Sequence, residues 1–326
     1  MSSRYDEYAK YERPRRRTRP RTKDRPSYAD ADVGRVITVD RGRYTLLVDD
    51  AGGRRVVTAM KARALGRQGV VVGDEVRVVG DTSGRPDTLA RIADVESRRT
   101  VLRRTADDDD PIERIIVANA DQLVIVTALA DPPPRPALID RCLVAAYDAG
   151  LTPLLCLTKA DLASATDLVA AYEPLGVETV VTRHDGAIDE LRARLRDETS
   201  VMVGHSGVGK STLVNRLVPD AERVTSDVNV VTGRGRHTST SAIALALPDG
   251  GLIVDTPGIR SFGLAHVDPD RLIEAFGDLA AAAVDCPRGC THAADEPECA
   301  LDDDRLDPRR VESFRRVLAS LSLPAY

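Results

Sequence analysis

Eight consecutive residues carry the strongest chemical signal in this 326-residue chain. Gly204, His205, Ser206, Gly207, Val208, Gly209, Lys210 and Ser211 read GHSGVGKS and fit the pattern G-x-x-x-x-G-K-[ST]. A loop of this form wraps phosphates with its backbone N–H groups, sends its lysine to the β- and γ-phosphates and offers its hydroxyl to Mg²⁺. Lys210 and Ser211 are the residues in those roles, and Thr212 continues the segment. Downstream, DTPG places Asp255 after the apolar run GLIVD, where a strand-end carboxylate can meet the magnesium hydration shell. The N–H of Gly258 can then report on the γ-phosphate. Upstream lies TKAD, from Thr158, Lys159 and Ala160 to Asp161. A carboxylate there accepts from guanine N1–H and its 2-amino group, and adenine offers neither donor. The stem of Lys159 can lie along the base; TKAD taken alone also reads as a helix N-terminus.

Between loop and DTPG, GRGRHTSTSA is rich in Gly and Arg and lacks apolar anchors, as a nucleotide-ordered switch would. Thr238 or Thr240 can complete magnesium coordination. Ile259 follows Gly258, where many GTPases carry a water-orienting glutamine. Isoleucine cannot orient water, so hydrolysis is expected to be slow or aided by another group. His237 is the nearest candidate in sequence, against a purely structural role. Near the C-terminus, Cys286, Cys290, His292 and Cys299 offer three thiolates and an imidazole, a closed set for one structural zinc.

These groups need positioning elements. DQLVIVTAL, LTPLLCLT, VETVVT and SVMVG are short apolar runs joined by helical stretches, ALIDRCLVAAYDAG and GAIDELRARLRDE among them. They predict an α/β domain with a parallel sheet covered on both faces, over residues 112–265. SVMVG runs into the phosphate loop, and KSTLVNRLV opens the helix that such a loop requires. Earlier, about five β-rich runs between Val33 and Val95 predict a small barrel over 30–97, of the OB type, with an SH3-like barrel as the alternative. With Tyr44 the lone aromatic among these strands, contact with phosphates or RNA shape is favoured over base stacking. Residues 98–111 read as a charged linker, and 266–326 as short helices around the Cys/His cluster.

Bulk properties narrow the class. No apolar run nears the roughly 20 residues of a membrane span and no signal peptide opens the chain, so a soluble cytoplasmic monomer with no membrane partner is expected. Five cysteines in uneven spacing argue against a disulfide framework, and Cys142 and Cys156 fall in apolar runs as core residues. The net charge of −5 excludes a uniformly basic nucleic-acid coat protein. Residues 1–29 are Arg- and Pro-rich and expected to be disordered, either a solubilising tail or a polybasic arm for nucleic-acid phosphates.

The order TKAD, GHSGVGKS, GRHTST, DTPG is a circular permutation of the usual GTPase order. With a barrel before and a Cys₃His cluster after, the chain from about Val33 resembles the small-ribosomal-subunit-dependent GTPase A family of bacteria. The resemblance implies a GTPase of late small-subunit assembly, using GTP, Mg²⁺ and Zn²⁺. It would dock on the immature subunit and its rRNA, check or release other assembly factors, and leave after hydrolysis. The chain departs from the family pattern with Thr158 for an asparagine, His205 for a glutamine and Thr182-Arg183 for a Ser-Ala element near the base. The spacing around Cys290-x-His292 also differs by a residue on each side. An ATPase, or an RNA-binding protein whose nucleotide site only regulates docking, are the rival readings.

Overall fold

Alternation within the central strands sorts their side chains onto two faces. The computed structural model describes residues 28–50, 53–105, 113–219, 242–256, 264 and 266–322. Strand β8 (Gln122–Ala128) is buried throughout, as is β11 (Thr199–Val203), and β9 (Thr152–Thr158) is buried after its first residue. Leu123 and Ile125 of β8, Leu155 and Leu157 of β9, and Val201 and Val203 of β11 face one apolar core. Val124, Val126, Leu154, Cys156 and Met202, the residues between them, face a second. Period-two alternation with both faces apolar is what a sheet sandwiched between helices demands. The sheet order is β10-β9-β8-β11-β13-β12, with β10 Glu178–Val181, β12 Ile243–Ala246 and β13 Leu252–Asp255. All neighbours are parallel except β12, which runs antiparallel to β13. Helix α1 (Pro136–Asp148) covers the first face, while α3 (Asp189–Leu195) and α4 (Lys210–Leu217) cover the second. Helix α2 (Thr166–Tyr172) follows β9.

The N-terminal barrel is built from β1 (Asp32–Asp40), β2 (Arg43–Asp50), β3 (Gly53–Lys61), β4 (Glu75–Gly80) and β5 (Ala90–Val95). Its order β1-β2-β3-β5-β4 closes through a β1–β4 pairing, with β3 and β5 parallel, which is the OB arrangement rather than the SH3-like one. Val36, Leu46, Val57, Val76 and Ile92 fill it. At a bulge in β1 between Val36 and Thr38, Val36 faces the barrel interior and Ile37 the neighbouring GTPase-side core. Thr38 then pairs with Ile243 of β12, so barrel and parallel sheet form one continuous sheet.

Part of the stretch 98–111, expected to be linker, is regular structure. Val101–Arg104 forms β6, paired antiparallel with β7 (Arg114–Ala118). Leu102, lying among arginines, is buried in the core that faces α1.

The C-terminal region carries α5 (Pro269–Leu272), α6 (Gly277–Ala283) and α7 (Pro308–Ala319). It was expected as a separate domain, yet Phe276, Leu301, Phe314 and Val317 lie in the same core as α1. Phe276 meets Phe314 edge-on at 5.3 Å and Tyr147 of α1 at 4.9 Å. A polar seam reinforces the contact: Arg316 pairs with Asp140 at 3.2 Å, and Arg310 donates to Pro174 O at 2.7 Å. Cys142 and Cys156 are buried core residues as expected, and burial pushes both thiols up to about 12. Among the described residues no helix is long and apolar enough to cross a membrane.

Candidate active site and metal centre

The phosphate loop is held between two strands and a helix. At Gly204 a Cβ would sit 2.6 Å from Val126 O, so the chain can leave β11 there only as glycine. Gly209 caps α4 with φ +91, a backbone region that side chains disfavour. Leu213, Val214 and Leu217 anchor α4 against the sheet, so its N-terminal amides and positive dipole end are fixed beside the loop. Lys210, Ser211 and Thr212 form its first turn.

The structure brings the three motifs together. Lys210 Nζ donates to Asp255 Oδ1, at the end of β13. Met202 and Asp255 are register partners, and Thr256 Oγ1 donates to Met202 O at 2.9 Å, which pins the start of DTPG to β11. From the other side, Thr158 Oγ1 donates to Val208 O at 2.6 Å. The threonine that departs from the family pattern therefore ties the base motif to the phosphate loop. Thr158→Val, which keeps the shape and removes this bond, should weaken GDP and ATP binding alike, by about 1 kcal/mol or roughly fivefold. Calorimetric titration checks it, and a loss confined to GDP would contradict a role in the loop.

Asp161 accepts from the backbone N–H of His184 at 3.3 Å. Ala160 N donates to Thr182 O at 3.1 Å, and Thr182 N to Leu157 O at 2.7 Å. The Thr182-Arg183 element, which has no recognisable motif, is thus placed directly behind the base motif. Lys159 has φ +58, and its Nζ donates to Asp131 O. His205 is half-buried, its Nδ1 lying 2.8 Å from Ser206 O. His237, Thr238, Thr240, Gly258 and Ile259 lie outside the described residues. Sequence reasoning missed Arg216, on α4, which gathers the carbonyls of Arg183, His184 and Gly186. No motif marks it, and only the fold reveals it.

At the other end, Cys286, Cys290, His292 and Cys299 form one candidate metal site, their ligand atoms all within 4.8 Å of one another. His292 Nδ1 lies 3.6, 3.5 and 3.8 Å from the Sγ atoms of Cys286, Cys290 and Cys299. Bond lengths of about 2.3 Å to sulfur and 2.0–2.1 Å to nitrogen, at tetrahedral angles, require S–N separations near 3.6 Å. The three S–N separations already lie close to that value. Burial, with help from the neighbouring thiols, pushes Cys290 up to about 11, a cost that a bound cation reverses by stabilising thiolates. Ala300 N donates to Cys286 Sγ at 3.3 Å, and Arg315 Nε holds His292 O at 3.1 Å. Both fix ligand direction.

A parallel sheet, a phosphate loop and a base motif that precedes that loop in the chain define a circularly permuted P-loop GTPase. Comparison with known proteins makes the assignment specific. The RsgA GTPase family model matches residues 95–265, and the chain belongs to that family. It is 43% identical over 265 residues to the small ribosomal subunit biogenesis GTPase RsgA of Pseudomonas aeruginosa, covering 77% of this chain and 76% of the relative. The protein of that name from Chromohalobacter salexigens is 39% identical over 269 residues, covering 78% and 76%. Among solved structures, YjeQ from Thermotoga maritima superposes with a TM-score of 0.66 at 26% identity, covering 89% of this chain and 98% of its own. YloQ, a circularly permuted GTPase, shares the fold with a TM-score of 0.65 at 23% identity, covering 90% and 95%.

Proposed function

We propose that this chain hydrolyses GTP in the maturation of the small ribosomal subunit, docking on that subunit and its rRNA and departing with release of other assembly factors. The observation that carries the reading is the convergence of Lys210, Asp255 and Thr158 on one phosphate loop, in a chain whose relatives are named for small-subunit biogenesis. Residues Gly204 to Gly209 wrap the phosphates, and Lys210 exchanges the Asp255 carboxylate for the β- and γ-phosphates, staying compensated throughout. Asp161 reads guanine, and Lys159 flanks the base. Ser211 and either Thr238 or Thr240 would hold Mg²⁺, with Asp255 beside its water shell; the ion supplies charge neutralisation of the phosphate oxygens. Gly258 N–H supports the γ-phosphate, and His237 orients water where Ile259 cannot.

The Cys₃His set suits zinc, since three thiolates and one imidazole in a closed tetrahedron are its structural preference. The chain is read as a cytoplasmic monomer with a basic arm (1–29), barrel (30–97), permuted GTPase (112–265) and zinc region (266–326), the stretch 98–111 contributing β6 between barrel and GTPase. Slow free turnover and tight docking in the triphosphate state make the nucleotide a timer for residence on the subunit.

Co-sedimentation with purified small subunits tests the docking. Retention should be greater with a non-hydrolysable GTP analogue than with GDP, and it should fall steeply with salt, because the partner surface is phosphate-rich. Deleting residues 1–29 should flatten the salt dependence. Equal retention in both nucleotide states would contradict the timer and leave a nucleotide-binding RNA protein.

A further inference from the structure

We propose that Arg216 is a positioning residue for guanine selection, acting through a single peptide unit on Asp161; this rests on the reading of Asp161 as the base acceptor. Arg216 lies near the end of α4, the helix whose first residue is Lys210. Its Nη1 donates to Arg183 O at 3.1 Å and His184 O at 3.2 Å, and its Nη2 donates to Gly186 O. These carbonyls belong to the loop between β10 and α3. Thr182 is fastened to the end of β9, but the loop beyond it leaves the sheet, so the guanidinium collects the carbonyls in place of strand partners.

The peptide joining Arg183 to His184 carries the inference. A trans peptide is planar, and its C=O and N–H point in opposite directions. In this peptide the C=O accepts from Arg216, and the N–H donates to Asp161 Oδ1. A cation on the carbonyl side polarises the unit and fixes its orientation, so the carboxylate facing the base is aimed from behind by a residue on the phosphate-loop helix. The next peptide has the same sense: His184 O accepts from Arg216, which turns the N–H of Asp185 away from the guanidinium. Arg216 is itself held, since its carbonyl accepts from Arg192 Nη2 at 2.7 Å. One helix thus carries the phosphate anchor at its start and the support of the base-reading loop near its end.

Adenine makes no use of Asp161, so the dependence on Arg216 should follow the base. Arg216→Met keeps the aliphatic stem and removes the fork; Arg216→Lys keeps the charge without the fork's reach to several carbonyls. Equilibrium competition of GTP and ATP against a fluorescent GDP analogue, on the full chain, reads the effect. For Arg216→Met the GTP affinity should fall roughly tenfold to a hundredfold, the scale of losing hydrogen bonds to a charged group, with ATP affinity unchanged. Arg216→Lys should recover part of the GTP-over-ATP ratio. In an Asp161→Asn background, Arg216→Met should cost GTP little more, because its route to the base is already cut. Equal losses for GTP and ATP, or an unchanged ratio in both variants, would overturn the proposal and leave Arg216 a packing residue. A native chain that binds ATP as well as GTP would remove the base assignment, and the proposal with it.

Discussion

Asp161→Asn should lower GTP affinity by roughly two to four orders of magnitude and shift preference towards xanthosine triphosphate. On the proposed reading the carboxylate accepts two hydrogen bonds from guanine, and bonds to a charged group contribute about 1.5–3 kcal/mol each. Together they supply about 3–6 kcal/mol, and each 1.4 kcal/mol is a factor of ten. Asparagine replaces one acceptor with an NH₂ donor, which faces the 2-amino group of guanine badly but suits the 2-oxo group of xanthine. The fold should survive, since the amide oxygen can still accept from the backbone N–H of His184, which lies at 3.3 Å from the carboxylate. Competition binding against a labelled diphosphate gives both numbers. Retained GTP selectivity in the variant would place base recognition elsewhere.

Cys290→Ser should abolish stoichiometric metal and melt the C-terminal region well below the rest of the chain. Structural zinc contributes roughly 10–16 kcal/mol of apparent binding energy in small peptides, and a serine hydroxyl cannot replace an ionised thiolate at neutral pH. The four ligand groups come from turns and short segments around Cys286 and Cys299, with little apolar mass of their own. Damage should also travel. Cys299, Leu301 and Phe314 share a core with Leu143 and Ala146 of α1, so the helix beside β8 and β9 loses packing when the cluster opens. Elemental analysis and thermal unfolding with and without chelator measure both effects. A native chain that carries no metal and unfolds identically with chelator would contradict a structural metal.

The contrast between legible and hidden features follows from what each requires. GHSGVGKS and TKAD stood out in the sequence because phosphate and guanine chemistry restricts residue types, and the fold brings the two motifs together. Strands β8, β9 and β11 were readable because a sheet covered on both faces must be apolar at every position. The Cys₃His set was readable from donor type alone, and its interatomic distances bear the set out as a metal site. Other features depend on partners distant in sequence. Thr158 read only as a departure from the family's asparagine until its hydroxyl was seen on Val208 O, fifty residues away. Arg216 is one of many arginines until the fold sets it under three carbonyls. Leu102 was masked by the arginines around it, although one buried leucine is enough to seat β6. The C-terminal region read as a separate domain because short helices gather around the Cys/His cluster there, whereas Phe276 and Phe314 join it to α1.

This shared core bears on how nucleotide state is communicated. Strand β12, which follows the GRGRHTST segment in the chain, pairs with β13 and, through Ile243, with Thr38 of the barrel. Asp255, the partner of Lys210, ends β13. Two strand pairings therefore separate the Asp255 carboxylate from the barrel, and α1 lies between the same sheet and the region of the Cys₃His cluster. Both flanking regions abut the GTPase unit through packed contacts rather than through tethers.

Multiple-turnover GTP hydrolysis, measured with and without purified small ribosomal subunits, tests the account most directly. Without a glutamine after Gly258, free turnover should be slow, down to the order of 10⁻⁴ per second. Docking on the small subunit should raise it, each tenfold gain marking about 1.4 kcal/mol of added transition-state stabilisation. GTP should be consumed in preference to ATP, and Lys210→Ala should abolish the stimulated rate. A rate indifferent to small subunits, or one supported equally by ATP, would contradict a guanine-nucleotide timer in small-subunit maturation.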